Sequence, residues 1–242
     1  MDADPGYLSN LMALPLVERE RYLMGNWKIR PTAGTIFNRI WFAGKILPEV
    51  PKVMGEVVRF WDMAATLPKK GSDPDWTCGV KVGVMNGQFY ILDVRRFRKT
   101  AHESEMELRV CADADGPNVA IRMEEEGGSS GKIVTSHYGR NVVPGYNFQG
   151  IHPTKAKIQR WQGMSSALQA GNLFLIAGDW NQDFIDELDQ ARGEDEHNDM
   201  CDASSGAFNY LRDSGGAMAS VVDHRAEYER IGVGRMNRRG LM

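Results

Sequence analysis

The sequence predicts an α/β fold in which a mixed sheet carries helices on its faces. Two apolar runs flank Asn86-Gly87, the dipeptide most typical of a β-hairpin. After this hairpin, short apolar runs alternate along the chain with longer segments of helical periodicity. Hydrophobic residues make up 42% and charged residues 25%, which is the composition of a globular protein and argues against disorder.

The predicted strands are short apolar runs bounded by turn residues. Residues 57–62 form the first run, and the hairpin joins 78–85 to 88–94. Shorter runs downstream predict strands at 119–123, 142–143 and 173–176. Hairpin strands followed by alternating strands and helices indicate both antiparallel and parallel pairing.

The predicted helices are 102–114, 153–170, 182–191 and 198–211. In the second of these, Ile158, Trp161, Ser165 and Leu168 form one stripe, and Gly171 ends the helix. The glycine-rich turn 127–132 is expected to begin a further helix. A short charged helix at 16–24 is predicted near the start of the chain.

The 242 residues exceed the usual size of one domain, roughly 100–200 residues, so we expect one domain with extensions. Residues 1–50 are predicted to be a connector, 51–213 the folded domain and 214–242 a basic tail. No apolar run approaches the ~20 residues that span a bilayer, and no secretory leader is recognisable. Three scattered cysteines predict neither disulfides nor structural zinc and suit a reducing cytosol.

Two common catalytic chemistries are disfavoured. The five histidines accompany no GxSxG nucleophile elbow. Residues 127–132 contain glycine and Lys132 but do not match the phosphate-binding pattern GxxxxGK[ST], so we expect no ATPase site in this chain. The net charge of -3 also argues against purely electrostatic nucleic-acid binding, so any DNA contact has to come from local basic patches.

Carboxylates are the more informative candidates. Asp62 and Glu124 each end a predicted apolar strand, where a charge is costly unless it is paired or bound to metal. Asp199 and Asp202 lie three residues apart, on one face of the last helix. Mg²⁺ prefers such oxygen ligands, so the pattern suggests a metal site.

Ordinary structural roles remain open for each carboxylate. Asp62 can cap a turn, Asp199 can interact with the helix dipole, and residues 124–126 can be a solvated run of glutamates. Taken one at a time, these readings outweigh the metal site.

Several stretches in order resemble the C-terminal nuclease domain of the tailed-bacteriophage large terminase subunit, the DNA-packaging motor. They are Phe60-Trp61-Asp62-Met63-Ala64, Asp75-Trp76-Thr77, Phe89-Tyr90-Ile91-Leu92-Asp93, Met123-Glu124-Glu125-Glu126-Gly127-Gly128-Ser129-Ser130-Gly131-Lys132, Gly171-Asn172-Leu173, His197-Asn198-Asp199-Met200-Cys201-Asp202-Ala203 and Ser204-Ser205-Gly206-Ala207-Phe208. The likeness covers residues 55–211, and 14–27 resemble the end of the preceding ATPase domain. The chain is then either an excised nuclease half or a separately made nuclease, and the connector favours excision.

The resemblance implies an RNase H-like fold and two-metal cleavage of double-stranded DNA, with two Mg²⁺ or Mn²⁺ ions. By position, Asp62 is implied to bridge the ions, and Glu124 and Asp199 to complete the ligands, with Asp202 one turn later. Asn198 departs from the His-Asp-Asp pattern often found in the family. Glu126 is an alternative to Glu124 as the acidic ligand that follows the strand.

The resemblance also implies partners. Double-stranded DNA would be held by basic side chains, for which the candidates are Arg95, Arg96, Arg98, Lys132, Lys155, Lys157 and Arg160. A terminase ATPase domain in the same or a companion chain, the small terminase subunit and the portal are implied partners, in the cytoplasm of an infected bacterial host. The alternatives are a resolvase- or transposase-type nuclease, or a non-catalytic docking module of the packaging motor.

Overall fold

The computed structural model describes residues 21–22, 24–25, 36–52, 54–64, 73–193 and 197–215. Most of the helix predicted at 16–24 lies outside these residues, although residues 21, 22 and 24 are helical. Almost all of the basic tail also lies outside them. Within the described ranges, no helix has the length and apolar character needed to cross a membrane.

The predicted mixed sheet is confirmed, and seven strands of it lie in the described part of the chain. They are β1 (Ile46–Leu47), β2 (Val57–Asp62), β3 (Thr77–Met85), β4 (Gln88–Phe97), β5 (Ala120–Glu124), β6 (Phe148–Ile151) and β7 (Leu173–Ile176), in the spatial order β1-β7-β4-β3-β2-β5-β6. The antiparallel pairs are β2–β3 and the hairpin β3–β4, and every other pair is parallel. The hairpin turns at Asn86, whose positive φ of 52° suits the Asn-Gly turn.

Among the residues that the structure describes, five longer α-helices connect and cover the strands. They are α1 (Ala101–Asp115), α2 (Ser129–His137), α3 (Lys157–Gln169), α4 (Asn181–Gln190) and α5 (Asp199–Asp213). Helix α1 begins at a capping box in which the Thr100 side chain accepts from the Glu103 N–H and Glu103 accepts from the Thr100 N–H. The predicted helices match within a few residues, except that α3 begins at residue 157 and not at 153.

One predicted strand is wrong. Residues 142–143 follow α2 at the end of a π-helical turn, Tyr138–Val142, and the strand lies later, at Phe148–Ile151. Val142 and Val143 are apolar because both are buried in a hydrophobic cluster. A short apolar run cannot distinguish a strand from a buried helix end. The true edge strand β6 is only partly buried, so it carries no strong apolar pattern.

The sheet separates two hydrophobic clusters, because side chains alternate between the faces of β2. Trp61 packs with residues of α1 and the π-helical turn, including Leu108 and Tyr138. Phe60 lies in the larger cluster, with residues of α3, α4 and α5. Gly206 of α5 lies so close to Phe60 that an added Cβ would come 2.6 Å from the ring. This close approach holds α5 against the face of β2 that also carries Asp62.

Candidate active site

The carboxyl ends of β2 and β5 bring two of the predicted carboxylates side by side. The strands are parallel neighbours in the register Phe60↔Arg122 and Trp61↔Met123. Asp62 and Glu124 are the next residues and end their strands. Both side chains are half-buried.

Helix α5 supplies two more carboxylates above this edge. Asp199 and Asp202 lie in its first turn, and both are buried. They share a helical face with Gly206, which rests on Phe60. Because Phe60 and Asp62 lie on the same face of β2, the first turn of α5 comes to lie near Asp62.

The electrostatics of Asp62 reflect this crowding. Its pKa is raised well above the usual range, first by burial and then by the negative charges of Glu124, Asp202 and Asp199, in that order. The positive charge of Lys157 acts in the opposite direction. The other three predicted carboxylates therefore lie close enough to Asp62 for their charges to disfavour its ionised form.

Helix α3 neutralises part of this charge. Lys157 Nζ lies 2.8 Å from Asp202 Oδ2, and Arg160 donates to Glu124 Oε2 at 2.6 Å. Arg160 also lies 3.4 Å from Asp202 Oδ1, which accepts from Trp161 Nε1–H at 2.9 Å. Two of the predicted DNA-binding residues thus face the carboxylates directly.

Asp199 has different neighbours from Asp202. Burial raises the pKa of Asp199, and the charge of Asp75 adds to this effect, whereas a hydrogen bond from the backbone N–H of Trp76 lowers it. One ligand atom each from Asp75, His197 and Asp199 lie within 4.8 Å of one another, an arrangement that could hold a metal ion. Asp199 therefore lies between the Asp62 carboxylates and a histidine-containing group.

The start of α5 is fixed by a residue from α4. Glu187 Oε1 accepts from the backbone N–H groups of Met200 at 2.7 Å and Cys201 at 3.1 Å. Both groups lie in the first turn, where N–H groups have no partner within the helix. Its other oxygen lies 3.4 Å from Arg96. Burial is the main reason that the pKa of Glu187 rises to about 7. Glu187 thereby positions the turn that carries Asp199 and Asp202.

Of the other predicted basic residues, three arginines lie near acidic side chains and two lysines are exposed. Arg96 and Arg98 lie over the ring of Trp76, and Arg98 pairs with Asp73 at 2.6 Å. Arg95 is exposed and lies 3.1 Å from Asp93. Lys132 and Lys155 are exposed, away from these pairs.

The competing glutamate lies differently from Glu124. Glu126 is exposed, and Glu125 accepts a hydrogen bond from the Thr135 hydroxyl at 2.7 Å. Of these three acids, Glu124 is the one whose negative charge raises the pKa of Asp62. The geometry therefore favours Glu124 over Glu126 as a member of the carboxylate group.

Sequence reasoning does not predict that Asp75 and His197 lie beside Asp199. Asp75 precedes β3 and His197 precedes α5, so 122 residues separate them along the chain. The only local signal is that His197 stands two residues before Asp199. The roles of Glu187 and Arg96 are hidden for the same reason, because they depend on packing between α4, β4 and α5.

Comparisons with known proteins agree with this architecture. The model of the terminase RNaseH-like domain family matches residues 59–211. The large terminase of a thermophilic bacteriophage has a similar structure, with a TM-score of 0.58 and 13% identity, over 87% of this chain and 52% of that one. The chain thus spans about half the length of that relative. No curated protein sequence gave a significant match.

A second similar structure is the human cytomegalovirus terminase nuclease domain, in a form described as Mn-soaked and inhibitor-bound. It has a TM-score of 0.51 and 16% identity, over 74% of this chain and 95% of that one. At such low identities, these two structures support the fold alone.

Proposed function

The chain belongs to the terminase RNaseH-like domain family, and from this premise we propose that it is a metal-dependent endonuclease that cuts double-stranded viral DNA during genome packaging. The observation that carries the proposal is the gathering of Asp62, Glu124, Asp202 and Asp199 at one edge of the sheet. A structural role does not account for three acidic side chains placed beside Asp62, because their charges oppose its ionisation. Perturbed carboxylates of this kind are typical of catalytic sites.

The donor set suits divalent cations. Asp62 is half-buried among like charges, and one oxygen of Asp199 is buried without a hydrogen-bond partner among the described residues. A cation would relieve both costs, and hard ions such as Mg²⁺ and Mn²⁺ prefer carboxylate oxygens. We propose that Asp62, Glu124 and Asp202 hold such ions and that Asp199 supplies a further ligand. A pair of ions, when bound, would supply an activated water and stabilise the leaving oxygen of the phosphodiester.

The protein's own residues would prepare the site. Lys157 and Arg160 balance the charge of Asp202 and Glu124 while no cation is bound. With those carboxylates engaged by cations, both side chains would be free to contact DNA phosphates, which Lys and Arg bind without reading sequence. Trp161 keeps Asp202 oriented through its N–H. Exposed Lys132, Lys155 and Arg95 would extend the contact with the duplex.

The biological setting follows from the family. We propose that the domain works with a terminase ATPase domain, in the same or a companion chain, and with the small terminase subunit and the portal. Residues 1–50 would be the connector to that ATPase domain, 51–213 the nuclease domain and 214–242 a basic tail. The host cytoplasm, where viral DNA is packaged, would be the site of action.

A plasmid-cleavage assay tests the proposal. The purified chain should nick or linearise supercoiled plasmid in Mg²⁺ or Mn²⁺ without ATP, with little sequence preference, and EDTA should stop it. Asp62→Asn should reduce cleavage by orders of magnitude. Asp113→Asn, which alters an exposed carboxylate on α1, is the matched control and should keep full activity. No cleavage with either metal at any salt concentration would refute the proposal and favour a docking module.

Two matched pairs of variants test the ligand assignment. Glu124→Gln should lose cleavage, whereas Glu126→Gln should keep it. Asp202→Asn should be as inactive as Asp62→Asn, because its charge acts on Asp62 more strongly than that of Asp199. The reverse order within either pair would overturn the assignment. Preference for four-way junctions over linear duplexes would instead indicate a resolvase-type enzyme.

A further inference from the structure

A second group of possible metal ligands lies beside the proposed nuclease carboxylates and contains a histidine. One ligand atom from each of Asp75, His197 and Asp199 falls within 4.8 Å of the others. Asp75 is exposed, His197 is partly buried and Asp199 is 7% exposed, so the group is open to solvent on one side. A cluster of this kind needs independent evidence that a ligand belongs in it.

The first such evidence is an unpartnered oxygen. Asp199 Oδ2 is buried, and no hydrogen-bond partner for it lies among the described residues. A buried carboxylate oxygen left without a partner costs free energy, and the cost is greater when the group is charged. Asp75 places a second negative charge beside Asp199. A cation at this point would satisfy the oxygen and offset the repulsion.

The second is the orientation of His197. Its Nε2 lies 2.7 Å from Asp73 Oδ2, so this nitrogen carries the proton and donates it to the carboxylate. In the neutral ring, Nδ1 then has a lone pair. Nδ1 is buried without a hydrogen-bond partner in the described part of the chain, and it lies 3.9 Å from Asp75 Oδ1. A lone pair that faces carboxylate oxygens is repelled by them, and a cation bound between them would remove that repulsion.

Asp73 completes a recognised arrangement around metal ions. A metal-bound histidine usually donates its other ring N–H to a carboxylate, which fixes the tautomer and makes the ligating nitrogen more basic. Arg98 in turn lies 2.6 Å from Asp73 Oδ1 and holds that carboxylate in place. The contacts from Arg98 to Asp73 and from Asp73 to His197 therefore orient the ring so that Nδ1 lies beside Asp75 and Asp199.

We propose that Asp75, His197 and Asp199 bind one divalent transition-metal ion, of the Zn²⁺ or Mn²⁺ class, at a position distinct from the ions held by Asp62, Glu124 and Asp202. Imidazole nitrogen favours first-row transition metals, whereas Mg²⁺ prefers oxygen ligands alone. Asp199 is the residue shared by the two positions. The proposal concerns metal binding only and does not depend on nuclease activity.

Metal binding to the complete, metal-stripped chain tests the proposal without DNA. Zn²⁺ is titrated by calorimetry and by competition with a chromophoric chelator, and Co²⁺ is added separately for its visible absorption. His197→Gln and Asp75→Asn should each weaken Zn²⁺ binding at least tenfold and change the Co²⁺ spectrum. Asp73→Asn, which touches no ion, should weaken binding roughly 10- to 100-fold through the orientation of His197.

Two control variants separate this position from the nuclease carboxylates. His102→Gln changes an exposed histidine on α1 and should leave Zn²⁺ affinity unchanged. Asp62→Asn should retain the Zn²⁺ site and its Co²⁺ spectrum even if it abolishes cleavage. Thermal unfolding in EDTA should show that every variant is folded. Unchanged Zn²⁺ affinity in both His197→Gln and Asp75→Asn, or its loss in Asp62→Asn alone, would overturn the proposal.

Discussion

Glu187 offers the sharpest test of how the candidate site is built. Its carboxylate caps the first turn of α5 through Met200 and Cys201 and also faces Arg96. The side chain is only 7% exposed, and burial is the main reason that its pKa rises to about 7 from an ordinary value of 4.5. We expect Glu187→Gln to keep the capping oxygen and remove the titration.

The sign and size of the effect follow from linkage. Between pH 4.5 and about 7 the folded protein holds a proton on Glu187 that the unfolded chain has released, so its contribution to stability falls as pH rises. A difference of about 2.5 pH units, at about 1.4 kcal/mol for each unit, corresponds to roughly 3–4 kcal/mol. The wild-type chain should therefore lose roughly this much relative to Glu187→Gln as pH rises, most of it between pH 5 and pH 8.

Urea unfolding in EDTA measures this difference directly. The free energy of unfolding is determined for both proteins at several pH values from 5 to 8.5, and the variant-minus-wild-type difference is plotted against pH. The ion pair with Arg96 belongs to the same titration, because the charge of Arg96 lowers the pKa of Glu187 and is included in the value of about 7. A difference that stays flat within about 0.5 kcal/mol, or that falls with pH, would refute the reasoning.

Three further variants probe the surrounding structure. Asp62→Asn should raise the free energy of unfolding at pH 8 in EDTA, because the ionised form of Asp62 is disfavoured in the fold. The gain should disappear as pH falls toward 4, and equal gains at both pH values would contradict this. Asp115→Ala should destabilise the fold by about 3 kcal/mol in urea, since it leaves Arg59, whose side chain is 4% exposed, with weaker compensation; a loss below about 1 kcal/mol would be inconsistent with a buried ion pair. Gly206→Ala should lower the midpoint of thermal unfolding, at a cost of roughly 1–3 kcal/mol, because the new Cβ meets the ring of Phe60; an unchanged midpoint would show that α5 shifts freely.

The elements themselves are predictable where the pattern is local. The hairpin around Asn86-Gly87 and the strand Leu173–Ile176 follow from turn chemistry and short apolar runs. The strand predicted at 142–143 fails because burial beneath the Trp61 cluster makes a helix end as apolar as a strand. The sequence does not predict edge strand β6. Its residues are at most partly buried, so apolar and polar side chains do not alternate along it.

The candidate site divides in the same way. The sequence by itself determined the fold class and the position of Asp62 and Glu124 at strand ends, because residues that end apolar strands are recognisable from their immediate neighbours. Only the tertiary structure decided that Lys157 and Arg160 face those carboxylates, and that Asp199 lies beside Asp75 and His197. These contacts join segments far apart in the chain. Packing across the sheet sets them, and no local pattern of residues records that packing.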